Sequence, residues 1–337
     1  MNSREGGQVP ARRWAAGAVA LVAFVLGPAT ASALGPYPSL DACPVFPDPP
    51  ASLSPRAPSL PSQAAWNQDI SKAPVALNSA ATVAYINAQG GNFLHPDFGS
   101  PRPYGLPYAV VGEGQRLLPI HYSAYGSESD PGPFPIPSGA PVEGGRRSDG
   151  DRHVLVVDRS RCVLYELYRA FFKRGGGARW NADSGARWDL RSTALRPDSW
   201  TSADAAGLPI FPGLVRYEEA ATGRVDHAIR VTFESTRDAW VHPASHCAGD
   251  TANPHAPPMG MRLRLKASYG LGGFSGPARA IAAALKRYGM IVADNGSNWF
   301  FSGTSDRRWD DPNLNHLKRI PGSAFQVVKS AAAVHAC

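Results

Sequence analysis

The chain has 337 residues, among them 34 Gly and 32 Pro, with 18% charged residues and a formal net charge of +7. This density of Gly and Pro excludes a helical bundle or coiled coil, and the 8 Trp, 11 Tyr and 13 Phe exclude a disordered chain. The basic residues are scattered rather than clustered, which argues against nucleic acid as a partner.

The first 33 residues are typical of a secretory signal peptide. An arginine pair at 12–13 precedes an apolar run at 14–26, and Ala-Ser-Ala at 31–33 offers a cleavage site. The apolar run is too short to serve as a membrane anchor. We therefore expect a secreted protein, extracellular or periplasmic, with no membrane contact once the signal peptide at 1–33 is removed.

The segment at 34–62 is rich in Pro, which fixes φ and removes the N–H donor, so we predict an extended arm or linker. We expect Cys43 to fasten this arm. The cysteines are even in number and lack CxxC spacing, which in an exported protein predicts two disulfides rather than a zinc site. They are Cys43, Cys162, Cys247 and Cys337.

Periodicity and turn signals predict one domain of short strands over 63–337. In chain order, the elements are a helix at 78–88, strands at 104–111 and 117–122, a hairpin at 153–168, strands at 226–233 and 261–267, a helix at 277–288 and a strand at 290–293. Apolar and basic residues alternate at 261–267, which indicates one solvated face and hence an antiparallel sheet. We predict an all-β monomer, an antiparallel β-sandwich or jelly roll with one or two short helices.

The hairpin is the clearest local signal. If Asp158 lies opposite Cys162, then Glu166 shares a face with Asp158, Leu164 and Val156, because side chains alternate along strands. A slip of one residue would change these neighbours.

No GxSxG, HExxH, P-loop or Rossmann motif is present in a fitting context, which leaves polysaccharide cleavage by a pair of carboxylates as the leading chemistry. Glu166, in mid-strand, is the first candidate for a proton donor whose pKa is raised by burial. The alternative is an ordinary solvated or salt-bridged acid. Candidate partner carboxylates are Asp158, Asp204, Asp226 and Asp294.

Aromatic and basic residues suggest where a sugar would bind. Trp180, Trp200 and Trp299 lie in polar or Gly-rich segments, where an indole can stack on a sugar face, although Trp also fills cores. Arg230 is a further candidate substrate-binding residue. A lyase would combine a His or Tyr base with an Arg, but His227 and Arg230 are three residues apart and face opposite sides of an ideal strand.

Three histidines make a metal site an alternative hypothesis. His153, His227 and His246 could gather from a strand and a loop to bind a divalent metal, with hydrogen-bonded structural roles as the alternative. No other cofactor is predicted.

Five segments stand out as a set: His95-Pro96-Asp97-Phe98-Gly99, Gly150-Asp151-Arg152-His153-Val154, the loop at 200–209, Asp226-His227-Ala228 and Ala293-Asp294-Asn295-Gly296. Together they resemble a group of secreted soil-bacterial β-rich proteins, over residues 64–328. The resemblance implies an extracellular role and assigns no activity. Similar sequences carry bulky apolar residues in place of Cys162 and Cys247, which implies a Cys162–Cys247 bridge and leaves Cys43 to pair with Cys337.

Export, β-rich architecture, loop tryptophans and a strand-borne acid together favour a secreted carbohydrate-active enzyme. It would cleave an extracellular polysaccharide by carboxylate acid/base chemistry, as a glycoside hydrolase or a polysaccharide lyase. One alternative is a non-catalytic carbohydrate-binding or cell-surface module, in which the tryptophans bind and Glu166 has no role. The other is a metal-dependent enzyme with histidine ligands.

Overall fold

The computed structural model describes residues 34–43, 45, 64–99, 104–192 and 194–337, all within one compact unit. The predicted signal peptide at 1–33 and most of the predicted Pro-rich arm lie outside these residues. Within them, we find no helix with the length and apolar character that a membrane span requires.

Short strands dominate the described residues. The strands are β1 Tyr108–Val111, β2 Ile120–Tyr122, β3 Val154–Asp158, β4 Val163–Tyr168, β5 Phe171–Lys173, β6 Arg179–Ala182, β7 Ser184–Asp189, β8 Ile229–Phe233, β9 Ala239–Val241, β10 Arg262–Leu265, β11 Met290–Asn295, β12 Phe300–Phe301, β13 Phe325–Val327 and β14 Val334–Ala336. The α-helices are α1 Ala64–Asn67, α2 Ser79–Ala88, α3 Tyr217–Ala221, α4 Gly276–Arg287 and α5 Asp311–Asn315. The predicted helices at 78–88 and 277–288 are confirmed as α2 and α4.

The strands form four sheets, with the orders β1-β3-β4-β7, β12-β8-β11-β10-β13, β2-β6-β5 and β14-β9. β1 with β3, β2 with β6, and β8 with β11 run parallel, while the other pairs run antiparallel. The mostly β composition is confirmed. The sheets are mixed rather than purely antiparallel, they form no closed barrel, and a sandwich or jelly roll is not confirmed. Parallel pairs need long crossovers, which short-strand patterns do not reveal.

The β3–β4 hairpin is present, but its register differs by one residue from the predicted pairing. Asp158 lies opposite Val163, not Cys162, and Leu155 lies opposite Glu166. Cys162 takes a left-handed φ of 53° and therefore belongs to the turn rather than to the strand. As a result, Glu166 faces the larger hydrophobic core together with Leu155, Val157 and Leu164. The opposite face of the hairpin, which includes Val154, Val156 and Tyr165, packs into a second, smaller core.

Helix α4 covers the sheet that contains β8 and β11. Its buried face is formed by Ala278, Ile281 and Leu285, and Pro277 occupies its first turn, where no N–H donor is needed. Gly289 then ends the helical segment with a φ of 71°. A side chain at this position would collide with the backbone carbonyl of Leu263, so the close approach of β10 and β11 after α4 requires glycine.

The disulfides are Cys43–Cys162 and Cys247–Cys337, so the predicted pairing was wrong. Cys43 reaches the hairpin turn because the chain before it packs on the domain: Tyr37 stacks on Tyr108 at 3.8 Å and donates a hydrogen bond to the carbonyl of Ser305. The C-terminal Cys337 follows β14, which pairs with β9 and so lies beside the segment that carries Cys247. Two disulfides suggest an oxidising, extracellular environment.

Candidate functional site

A cavity of about 230 Å³ collects side chains from widely separated segments. We call it the acidic cavity, because its lining includes Asp151, Asp204 and Asp294. The lining residues are Tyr125, Asp151, His153, Tyr168, Ser184, Thr201, Ser202, Ala203, Asp204, Ala205, His246, Ala248 and Asp294. The structure therefore brings together two of the predicted catalytic carboxylates, Asp204 and Asp294.

The loop that carries Asp204 is held by its own hydroxyl groups and by neighbouring strands. Ser202 Oγ accepts a hydrogen bond from the Asp204 N–H at 2.9 Å and donates one to the Leu208 carbonyl at 2.6 Å. The N–H of Ala206 donates to the carbonyl of Ala293 on β11 at 3.0 Å. Because Ser side chains readily form such local bonds, the sequence folds here into a fixed loop rather than a strand.

Arg230, on β8, joins the two carboxylates. Its Nε and Nη2 donate to Asp204 at 3.3 and 3.0 Å, and Nη2 also lies 3.4 Å from Asp294 Oδ2. Its Nη1 donates to Ser302 Oγ at 2.8 Å. Asp204 thus has a two-bond contact with the guanidinium, whereas Asp294 has one long contact, so the ion pair with Asp204 is the stronger.

A β-bulge in β11 places Asp294. Val292 pairs with Val231 and Asp294 pairs with the next residue, Thr232, so Ala293 is an extra residue in the ladder. A bulge changes the direction of the side chains near it, and bulges are common beside active sites. The bulge at Ala293 accordingly places the carboxyl of Asp294 against Arg230 and at the wall of the acidic cavity.

Burial and the neighbouring charge of Asp204 raise the pKa of Asp294 to about 7, against the attraction of Arg230. Burial also raises the pKa of Asp204, again opposed by Arg230. We assign the shared proton to Asp294, because Arg230 holds Asp204 with two hydrogen bonds. Asp294 keeps 24% of its side chain exposed and Asp204 none, so the protonated carboxyl is the one that a ligand can reach.

His153 holds the Asp204 loop in place through a hydrogen bond to the backbone of that loop. Its Nδ1 lies 2.6 Å from Glu143 Oε2 and its Nε2 lies 2.9 Å from the carbonyl of Ala203. Burial alone would lower the pKa of His153, but the charge and hydrogen bond of Glu143 raise it to about 9. Both ring nitrogens therefore donate, and His153 is an imidazolium that fixes the loop rather than a free base.

His246 and Asp151 complete the polar lining. His246 Nδ1 lies 2.8 Å from the carbonyl of Ala205 and therefore donates a hydrogen bond to it. Asp151 is exposed, and its negative charge contributes to the raised pKa of Asp294. The cavity thus combines a protonated carboxyl, an exposed carboxylate and the imidazole of His246.

No family model matches the chain, and no curated protein or solved structure matches it either.

Glu166, the first predicted proton donor, does not line the acidic cavity. Its side chain is fully buried, and its oxygens accept hydrogen bonds from the N–H groups of Ile210 and Phe211 at about 3 Å and from Trp188 Nε1 at 3.1 Å. Burial raises the pKa of Glu166 to about 7, although the two backbone bonds oppose this rise. Glu166 anchors the chain just after the Asp204 loop.

Asp158 also lies away from the cavity. Its fully buried carboxylate accepts bonds from Ser160 Oγ at 2.6 Å and from Arg161 Nη1 at 2.9 Å, and so closes the β3–β4 turn. Asp226, another predicted partner, forms an exposed ion pair with Arg224 at 2.8 Å.

The three predicted sugar-binding tryptophans occupy different settings. Trp299 is fully buried, stacks on Phe325 and donates to Asn87 at 2.9 Å, which makes it a core residue. Trp200 is half-buried beneath the guanidinium of Arg196 at 5.4 Å. Trp180 is buried and lines a second cavity, described below.

The three histidines that were predicted as metal ligands do not all lie in the same cavity. His153 and His246 line the acidic cavity, but His227 bonds Glu219 at 3.0 Å beside α3. Among the described residues, ligand-type atoms of Glu143, Asp151 and His153 lie within 4.8 Å of one another. Both nitrogens of His153 are already hydrogen-bonded there, so this ring offers no free lone pair to a metal.

Asp151, Tyr125 and Tyr168 were not among the site residues predicted from the sequence. Asp151 lies three residues before Val154, the first residue of the buried strand β3, and an acid close to a strand end is the signal that could have identified it. The two tyrosines carried no such signal, because only the tertiary structure brings them to the cavity.

Proposed function

We propose that the protein is a secreted glycoside hydrolase that cleaves an extracellular polysaccharide, with Asp294 as the proton donor. The observation that supports this most is the state of Asp294: a carboxyl with a pKa of about 7, partly exposed in a cavity that also contains the carboxylate of Asp151. A proton donor and a second carboxylate are the two groups that glycosidic hydrolysis needs.

In this mechanism, Asp294 gives its proton to the glycosidic oxygen as the carbon–oxygen bond breaks. Asp151 removes a proton from the attacking water, whose oxygen forms the new bond to the anomeric carbon. Arg230 stabilises the carboxylate that develops on Asp294, because its Nη2 is already in contact with Oδ2. Asp151 then releases its proton to solvent and Asp294 takes one up from solvent, which completes the cycle with no net change in the protein.

Hydrolysis fits the cavity better than elimination does. A lyase acting on a uronate needs a cation or metal beside the sugar carboxylate. The residues that line the acidic cavity include no Lys or Arg, and the nearby Arg230 is already paired with Asp204. The imidazolium of His153 also lines the cavity, but both of its nitrogens are already hydrogen-bonded. A non-catalytic module would bind sugar without needing a protonated carboxyl near neutral pH.

The test is a screen for reducing-end release across plant and microbial polysaccharides, with and without chelator. We expect release from at least one polysaccharide, unaffected by chelator, and a loss of about 100-fold or more in the Asp294→Asn variant. Asp226→Asn is the matched control, because Asp226 is exposed and outside the cavity. Full activity of Asp294→Asn would refute the role of this carboxyl, and binding with no release would favour the carbohydrate-binding module.

A further inference from the structure

A second cavity, of about 320 Å³, has the opposite charge to the first. Its lining includes the cations Arg146, Arg152, Lys173 and Arg174 and the aromatic residues Phe171 and Trp180. We call it the basic cavity. None of its lining residues is acidic, so its four positive charges are not neutralised by a carboxylate within the cavity.

Trp180 provides an independent indication of a ligand. The side chain is 1% exposed, and its indole N–H has no hydrogen-bond partner among the described residues. Buried N–H donors are nearly always paired, and each exception needs an explanation. A ligand with acceptor oxygens would supply the partner, and the cations around the same cavity favour an acceptor that carries negative charge.

One cation of the basic cavity is fixed in place. The guanidinium of Arg152 donates to the carbonyls of Ser148 at 2.6 Å and Ala170 at 3.2 Å and lies 4.1 Å from the ring centre of Phe171. Lys173 and Arg174, by contrast, are exposed and have no carboxylate partner among the described residues. The cavity thus pairs a pre-ordered cation and aromatic faces with two exposed cations.

We propose that the basic cavity binds one anionic saccharide unit, with a carboxylate or a phosphate as its charged group. This deepens the proposed function, on which it rests for the claim that the ligand is a saccharide. The volume is that of a small-molecule site, and the aromatic residues offer faces for a sugar ring. Arg152 lines the basic cavity while its neighbours Asp151 and His153 line the acidic cavity, so the two sites adjoin along the chain.

Nucleic acid is the competing anionic ligand. Its binding depends on a basic face that follows many phosphates, and the basic residues of this chain are scattered elsewhere along the sequence. A single concave site with four cations fits one charged sugar better than it fits a nucleic-acid backbone.

The experiment measures equilibrium binding of tetragalacturonate, of its fully methyl-esterified form and of a phosphorylated oligosaccharide of the same length. We expect the wild-type protein to bind at least one charged ligand, with weaker binding at high ionic strength, and to bind the uncharged ester about tenfold less tightly or worse. The charged ligand that binds more tightly identifies the anionic group.

Variants then locate the binding. Lys173→Gln combined with Arg174→Gln should weaken binding about tenfold or more, since each loses a charge-assisted contact. Lys72→Gln combined with Arg307→Gln removes the same charge at exposed positions outside the cavity and should change nothing. Trp180→Phe keeps an aromatic ring but removes the indole N–H together with the five-membered ring, and it should weaken binding while the thermal unfolding transition remains cooperative.

Equal binding of the ester, unchanged binding by the Lys173/Arg174 variant, or tighter binding of a single-stranded oligonucleotide of equal charge would each overturn the proposal. Asp294→Asn separates the two proposals. If no saccharide is hydrolysed but this variant and the wild type bind the charged oligosaccharide equally, the hydrolase proposal fails and the binding site stands.

Discussion

Asp204 and Asp294 contact the same atom, Nη2 of Arg230, at 3.0 and 3.4 Å. One guanidinium therefore serves two carboxylates in a buried setting, where two ionised acids repel each other and one of them keeps its proton. The partly exposed Asp294 is the member that can deliver this proton into the acidic cavity.

We expect the hydrolytic rate to depend on pH through Asp294. The active form is the protonated carboxyl, which is populated below its pKa of about 7 and lost as the pH rises through that value. Above about pH 7, kcat/KM should fall about tenfold per pH unit. A profile of kcat/KM against pH checks this, and a rate that stays constant well above neutral pH would contradict the assignment.

Glu166→Gln should affect stability more than catalysis. The amide nitrogen of Gln would face an N–H group of Ile210, Phe211 or Trp188, so one hydrogen bond is lost, at a cost of about 1–2 kcal/mol in the free energy of unfolding. We expect less than a tenfold fall in kcat. Denaturant unfolding and steady-state kinetics on the same preparation measure both. A loss of activity equal to that of Asp294→Asn, with stability unchanged, would return Glu166 to the mechanism.

The Glu143–His153 pair predicts how stability depends on pH. The pKa of His153 rises from 6.5 to about 9 in the folded protein, so its contribution is fully present below pH 6.5 and is lost as the pH rises through about 9. Glu143→Gln should lower the free energy of unfolding by about 2 kcal/mol at neutral pH and flatten this dependence. Thermal unfolding between these pH values, with Asp226→Asn as the control, provides the test.

The disulfides should be found by non-reducing peptide mapping as Cys43–Cys162 and Cys247–Cys337. Replacing Cys247 and Cys337 together with Ser opens a bridge between residues 90 apart and should cost about 2–4 kcal/mol in unfolding free energy. Reductant should lower the melting temperature of the wild type by more than that of this variant. A map with crossed pairs would contradict the structure.

Local sequence patterns predicted the helix and the hairpin that depend mainly on residues close together in the sequence. Helix α4 follows from its periodicity, its Pro and its terminal Gly, and the β3–β4 hairpin follows from its β-branched residues. The hairpin register was missed by one residue, because it depends on the left-handed conformation of Cys162, which the residue type does not disclose. The shift changed the cross-strand neighbours of Glu166, and the face of β4 that carries this residue is fully buried.

The acidic cavity was predictable only in part. Asp204 and Asp294 were among the candidates because each follows a recognisable loop or strand signal. The contact of both carboxylates with Arg230 depends on the parallel pairing of β8 with β11. This pairing brings Arg230 and Asp294 together, although they are 64 residues apart in sequence. Asp151 and His246 join the same wall through tertiary packing, for which a single sequence carries no pattern.

The extra residue at Ala293 also links β11 to the loop that carries Asp204. Deleting Ala293 would restore an unbroken ladder with β8 and keep Asp294 opposite Thr232, on the face of the sheet that carries Arg230. The deletion would, however, remove the carbonyl that accepts the hydrogen bond from the N–H of Ala206. A better-paired sheet would then come with a less firmly held Asp204 loop.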